Sequence, residues 1–301
     1  MPVSIVLLVV ASALAHASWN AILKRCREPE HAVVGMMFLA AVCGVICAVA
    51  LRMPVPPLTS LGWCVAAGVL EAAYFVTLAR ALSRAPLASV YTVVRGGALV
   101  VVWPISVLAL GEAVTVTRAI GTLLVVLGLV ATGASQRTPA LDAPNPGADA
   151  SAAGNEGSGD AKSGVRSGIA VAALSAVFVG GYHLAYKLAL STGGGPEAVV
   201  SISLSTASIL NLAALGSRRA RVFAAARVQP AKIVVGGLLA SFGFLVFLSA
   251  MKDAGAGVVL TLRNTSILFA QVLAFALGER PRRLGVVGAG LVTSGAILLA
   301  R

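Results

Sequence analysis

VYTVVRGGALVVVWPISVLALGE, residues 90–112, and VLTLRNTSILFAQVLAFALGER, residues 259–280, decide how this chain is to be read. Each is an apolar run with one arginine near its start, Arg95 or Arg263. Each ends on a Gly-Glu pair, Gly111-Glu112 or Gly278-Glu279. An apolar run of about 20 residues is long enough to cross a bilayer as a helix. A charge inside such a helix costs a few kcal/mol or more, so it is read as functional. Its recurrence at matching places in two halves points to a duplicated membrane protein with a polar site at its centre.

Composition agrees. The chain is 58% hydrophobic and only 11% charged, with a mean hydropathy of +0.94. A soluble domain carries roughly 25% charged residues, so this chain has too few to cover itself with a polar surface. The net charge of +12 sits in short gaps between apolar runs. That distribution fits control of membrane topology better than a nucleic-acid-binding face.

Ten apolar segments follow one another, at roughly 3–23, 31–51, 61–82, 86–110, 114–134, 167–190, 197–216, 231–251, 255–277 and 284–300. Backbone polar groups must be satisfied within lipid, and the runs lack the alternation of a barrel, so helices are predicted. Residues 135–166 are rich in Ala, Gly, Ser, Pro, Asn and Asp and read as a flexible linker. It separates a first repeat, 1–134, from a second, 167–301. Trp19-Asn20 and Lys24 recur as Tyr182-His183 and Lys187 at a spacing of 163. Glu112, Gly121 and Gly128 recur as Glu279, Gly288 and Gly295 at a spacing of 167. Ala15-His16-Ala17 has the look of a leader-cleavage site, but MPVS carries no basic start and the first segment recurs internally, so a cleaved leader is not expected. Five segments per repeat is an odd number, which forces the halves into opposite orientations. The expected fold is therefore an all-α integral membrane protein of ten transmembrane helices in an inverted 5+5 repeat, with its site near the midplane.

The HASWNAILKR run (16–25), the VYTVVRGG…LGE run (90–112), the LRNTSILFA…LGER run (262–280) and the closing Gly288 and Gly295 resemble the drug/metabolite transporter superfamily, in particular its EamA family of two five-helix repeats. The resemblance covers nearly the whole chain except the linker. It implies a secondary transporter in the cytoplasmic membrane. The chain departs from the family in two respects: relatives often have Pro where Thr92 stands, and the linker is longer than usual.

Arg95 and Arg263 are expected about ten residues into their helices, lining a pathway. Glu71 lies mid-helix, with Tyr74 one turn on. It either neutralises Arg95 or carries a coupling proton. His16, Asn20 and Lys24 are four apart and form one stripe of the first helix, whose lower part His183 and Lys187 repeat. Polar groups avoid lipid, so the stripe is expected to face a central cavity. Tyr91 sits one turn before Arg95, and Asn264 follows Arg263. Trp103-Pro104 reads as a kink or packing point, and Glu112 and Glu279 as interfacial structural residues.

Cys43 and Cys47 share a helical face without a third ligand nearby, so they read as packing and no metal site is expected. No metalloprotease, P-loop or nucleophile-elbow motif is present, and neither an enzyme nor a cofactor is expected. The core cations outnumber its acids. That balance points to a secondary transporter, an exporter, of a small polar metabolite bearing a carboxylate or phosphate-type group, such as an amino-acid-like molecule or organic anion. The alternatives are a lipid-linked carrier or flippase-type subunit, and a multidrug exporter, which would want unpaired core acids. The partners expected are this small molecule, the lipid bilayer and a coupling proton, but not nucleic acid.

Small residues spaced four apart on the last helix, Gly285, Ala289 and Thr293, with Gly290 and Ser294, allow close contact within the chain or in a homodimer. Arg52, Arg118, Lys187, Lys252 and Arg301 fall at one end of the segments, and the far more numerous remaining gap cations at the other. The positive-inside rule places the richer end, with the linker, in the cytoplasm and both termini outside, whereas the resemblance implies termini inside; the charge count is followed here.

Overall fold

A computed structural model describes residues 3–110, 115–135, 157–254, 263–280 and 282–299. All secondary structure among them is helical. The helices are α1 (Val3–Lys24), α2 (Pro29–Ala50), α3 (Leu58–Arg84), α4 (Leu87–Leu110), α5 (Val116–Ser135), α6 (Gly157–Ser191), α7 (Pro196–Leu215), α8 (Ala220–Val228), α9 (Pro230–Ala254), α10 (Ser266–Ala276) and α11 (Arg283–Leu299). A short 3-10 turn, Gly216–Arg219, joins α7 to α8.

Among the described residues, six helical stretches are long and apolar enough to cross a membrane: Ile5–Lys24, Pro29–Ala50, Leu58–Arg84, Ser163–Ser191, Pro196–Val228 and Pro230–Lys252. Shorter apolar helices, Leu87–Val102, Ala119–Thr132, Ser266–Ala276 and Arg283–Leu298, stand at the fourth, fifth, ninth and tenth expected segments. The chain is thus an all-helical, multi-pass membrane protein. Proline opens α2, α7 and α9, where its missing N–H costs nothing. Gly278, at φ +82, closes α10. Its own N–H bonds Phe275 O at 2.9 Å and that of Glu279 bonds Ala274 O at 3.0 Å, the paired bonds of a left-handed helix stop. This accounts for the glycine of the second Gly-Glu pair; the first, Gly111-Glu112, lies outside the described residues.

Three expectations change. The ninth segment is not one unbroken helix around Arg263. Asn264 and Thr265 form a turn, and α10 begins only at Ser266. Asn and Thr compete with a helix by bonding locally, which favours a break here. Residues 255–262, before the break, lie outside the described set. Of the expected linker, 136–156 lies outside it too, but Gly157 to Arg166 belong to α6, so helix begins ahead of the apolar run. The charged gap after the seventh segment also holds structure. In α8, Val222 and Ala225 are buried, while Arg221 and Phe223 are exposed. Short amphipathic helices of this kind carry little hydropathy signal.

The packing crosses the middle of the chain. α3 lies on α6 and α7, α9 lies on α1 and α2, and α2 meets α7. α4 touches α6, and α10 touches α1. Glycines set the closest approaches. A Cβ on Gly68 of α3 would sit 2.5 Å from Ser203 O of α7, and one on Gly237 of α9 2.8 Å from Met36 O of α2. The α5–α11 seam is built from the four glycines that recur in the sequence. A Cβ on Gly128 would come within 2.6 Å of Gly288 O, and one on Gly295 within 2.5 Å of Gly121 O. Ala289 and Thr293 are buried, so this small-residue stripe is used inside the chain. Gly290 faces open space and Ser294 is exposed.

Candidate functional site

Helices from both halves bring a polar cluster to the centre. α1 supplies His16 and α4 supplies Arg95, both almost fully buried. Arg263, 1% exposed, enters from the helical residue just before the Asn264-Thr265 turn ahead of α10. Arg95 Nη2 contacts His16 Nε2, and Arg263 Nη2 lies 3.2 Å from His16 Nδ1. Trp19 Nε1 also points at Nδ1, at 3.3 Å. Three donors thus converge on one imidazole. A neutral imidazole offers a single acceptor nitrogen, and a guanidinium accepts nothing. Donors outnumber acceptors at His16, and the unpartnered oxygens beside it, such as the Tyr91 hydroxyl, are neutral, so the cluster holds no anionic acceptor among the described residues. Arg263 Nε and Nη1 have no hydrogen-bond partner.

Aromatic faces take part of the load. The Arg263 guanidinium lies 3.7 Å from the centre of the Phe247 ring and 5.4 Å from that of Phe244. Arg95 lies 5.8 Å from the Tyr91 ring. Such contacts contribute about 2 kcal/mol or more when desolvated. They soften a buried cation without neutralising it. A cleft of about 30 Å³ opens between Arg95, His183, Arg263 and Asn264, with Ala98, Leu99 and Val102 as its apolar wall. A water needs about 10–15 Å³, so this conformation admits a few waters and no metabolite.

Glu71 does not neutralise Arg95. It is fully buried, and Tyr186 of α6 donates its hydroxyl to Oε1, with Ser203 Oγ 3.3 Å from the same tyrosine oxygen. α3 packs on α6 and α7, which gives Glu71 hydroxyl partners where the sequence suggested a cation. Tyr74 lies 5.5 Å from Tyr182, which lies 5.3 Å from Tyr186 and 4.5 Å from the His183 ring, so an aromatic layer runs from the carboxylate to the wall of the cleft.

Lys24 is also placed differently. Its ammonium donates to Leu82 O at 2.7 Å and Ala85 O at 2.5 Å, at the end of α3, and sits 3.8 Å from Glu279. The helix is long enough to carry its last residue away from His16, out of the cluster. Glu279 in turn accepts from Leu87 N at 3.1 Å, at the start of α4. Asn20 donates to His16 O at 2.7 Å, within its own helix, and leaves Oδ1 without a partner. His183 lines the cleft; Lys187, one turn on, is half-buried and does not. Tyr91 packs its ring against His16 at 6.1 Å.

Sequence reading missed Tyr186, Trp19, Phe244 and Phe247. Tyr182 and Tyr186 stand four apart and Phe244 and Phe247 three apart, so each pair shares a face. That spacing was the available signal, but in a chain this apolar it looks like core. No cluster of metal-ligating residues occurs among the described residues.

Residues 166–301 match the EamA-like transporter family. This match over the second half supports membership of that family, whose members are membrane transporters of the drug/metabolite type. One solved crystal structure, whose name states no function, is similar with a TM-score of 0.60 and 17% identity over 99% of this chain and 96% of that one. At that identity the likeness concerns the fold. No curated protein matches the chain.

Proposed function

We propose that this EamA-like protein is a secondary transporter that exports a small metabolite bearing a carboxylate or phosphate-type group, by alternating access across the cytoplasmic membrane. The observation that carries the reading is the donor surplus at His16. Two guanidiniums from opposite halves share one imidazole, and two donors of Arg263 stay unused. What such a cluster lacks is an anionic acceptor, and an anion supplies one to both arginines at once. A cation would meet uncompensated like charge there, which disfavours a multidrug exporter of cations.

The architecture in this proposal is ten transmembrane helices in two inverted repeats, 1–134 and 167–301. The packing supports it. Exchanging the halves turns the α3–α7 contact at Gly68 into the α2–α9 contact at Gly237, and the α4–α6 contact into that of α1 with α10. The α5–α11 glycine seam maps onto itself. The cleft is too small for a metabolite, so this is a closed state that must open to one side. Sidedness follows from charge, with the arginine-rich end in the cytoplasm and both termini outside. A second, larger cavity opens at that end, where an exported substrate would enter. Glu71, with no cation bonded to it among the described residues, is proposed to carry the coupling proton.

Metabolite profiling of the medium of cells with and without the protein identifies the substrate. Uptake of that substrate into proteoliposomes then tests the site. Arg95→Lys and Arg263→Lys keep the charge but lose the two parallel hydrogen bonds of a guanidinium. Each is expected to lower kcat/KM by about tenfold or more, the equivalent of about 1.4 kcal/mol, with folded protein unchanged. Near-normal uptake by both variants would refute the arginine site.

A further inference from the structure

At the arginine-rich end, between the start of α4 and the ends of α5 and α10, lies a cavity of about 230 Å³. Its walls include Ser89, Thr132, Gln271, Glu279, Arg280 and Arg282. The volume exceeds that of the central cleft severalfold and accommodates a small organic molecule. Its floor is a hydrogen bond between the halves: Gln271 Nε2 donates to Thr92 Oγ1 at 3.3 Å. Thr92 is fully buried, and its hydroxyl also donates to Ala88 O at 2.8 Å.

Position along the helices places this bond between the two cavities. On α4, Ser89 lines the outer cavity, Thr92 follows one turn on, and Arg95 lines the inner cleft one turn further. On the other side, Asn264, in the turn before α10, lines the inner cleft, and Gln271, within α10, lines the outer cavity. A spacing of 168, which carries Arg95 to Arg263, carries Thr92 to Leu260 and Trp103 to Gln271. The duplication therefore does not repeat this polar pair. Its counterparts in the sequence, Leu260 and Trp103, lack the hydroxyl and the amide of this pair.

We infer that the outer cavity is a waiting site for the anionic substrate, and that the Gln271–Thr92 hydrogen bond is the latch separating it from the arginine pair. Arg280 and Arg282 outnumber the one carboxylate in the wall, Glu279, and leave the cavity net positive. Arg282 Nη1 is already spent on Ser135 O at 2.8 Å, which leaves the exposed Arg280 as the residue that draws an anion in. Gln271 Oε1 is buried without a partner, so breaking the latch frees an amide with both a donor and an acceptor to offer a passing ligand. One hydrogen bond between the halves is weak enough to open within a transport cycle.

This inference deepens the anion-transport reading, but its test needs no substrate. In a chain with its native cysteines replaced, Ala98→Cys reports the inner cleft and Ser89→Cys the outer cavity. Two membrane-impermeant thiol reagents, one bearing a sulfonate and one a trimethylammonium, are applied to the face from which Ser89→Cys is labelled. Thr92→Val keeps the volume and removes the hydroxyl; Gln271→Ala removes the partner. Each is expected to speed labelling of Ala98→Cys about two- to tenfold, the range spanned by one hydrogen bond, while Ser89→Cys is unaffected. The sulfonate reagent is expected to label Ser89→Cys faster than the cationic one, and Arg280→Gln to abolish that preference. Unchanged Ala98→Cys labelling in both folded variants overturns the latch. Equal rates for the two reagents at Ser89→Cys overturn the waiting site. If both results hold while the arginine-to-lysine variants transport normally, the arginine site alone is lost.

Discussion

Arg95 and Arg263 come from different halves of the chain and meet on the two nitrogens of one imidazole, that of His16. Only one of these nitrogens can accept, so the pair is held apart by a group that cannot satisfy both. An added anion is expected to stabilise the protein by filling the missing acceptor role. At ten times its Kd, binding contributes about 1.4 kcal/mol, which raises Tm by about 2 °C or more in a chain of this size. The measurement is thermal unfolding in detergent with a panel of carboxylates and phosphates at fixed ionic strength. The shift should vanish in the Arg95→Lys, Arg263→Lys double variant. An equal shift there means that the anions act elsewhere.

The membrane class and the duplication are legible in the sequence because hydropathy and spacing survive without geometry. The four glycines at a spacing of 167 announce a shared structural role, and the α5–α11 seam is that role. Partners of charged groups are another matter. Lys24 shares a helix face with His16 by spacing, yet its reach takes it to the end of α3. Glu71 is visibly mid-helix, but only the packing of α3 on α6 shows that Tyr186 meets it. Helix–helix registry decides such pairs, and one strand of sequence carries no direct record of it. The break at Asn264-Thr265 falls within a polar run, Arg263 to Ser266, and such a run marks a polar site inside a helix as readily as the end of one.

Lys24 is expected to matter for folding more than for transport. Its ammonium bonds two carbonyls that end α3 and lies near Glu279, which itself caps the start of α4. Lys24→Gln should lower stability by about 1–2 kcal/mol, the loss of charge-assisted hydrogen bonds, and leave KM for the substrate within about twofold. Unfolding in detergent and uptake per folded protein separate the two effects. A large rise in KM with stability intact would return Lys24 to the binding site.

Glu71 and Tyr186 form a buried pair across the two halves, with no cation bonded to the carboxylate among the described residues. Glu71→Gln keeps the shape but cannot take up a proton. It is expected to bind substrate nearly as the native protein does and to lose the response of uptake to an imposed pH gradient. Tyr186→Phe leaves the carboxyl without its donor and should cost about 1–3 kcal/mol of stability. Proteoliposome flux with and without the gradient is the measurement. Gradient-independent flux in the native protein removes the proton role.

The α5–α11 seam gives the sharpest test of the packing. Gly288 approaches Gly128 O so closely that an added Cβ would lie 2.6 Å away, and at Gly295 a Cβ would lie 2.5 Å from Gly121 O. Both contacts are with backbone, which cannot rotate aside as a side chain can. The helices would have to part, and overpacking of this kind costs about 1–3 kcal/mol. Gly290, on the same helix, faces open space. There alanine meets nothing and gains up to about 1 kcal/mol from helix propensity. Gly288→Ala and Gly295→Ala are therefore expected to lower the unfolding temperature, and Gly290→Ala to leave it unchanged or raise it. All three are conservative changes in one apolar helix, so hydropathy and insertion are the same for each. A uniform response to the three substitutions means that α11 does not pack on α5 through this face.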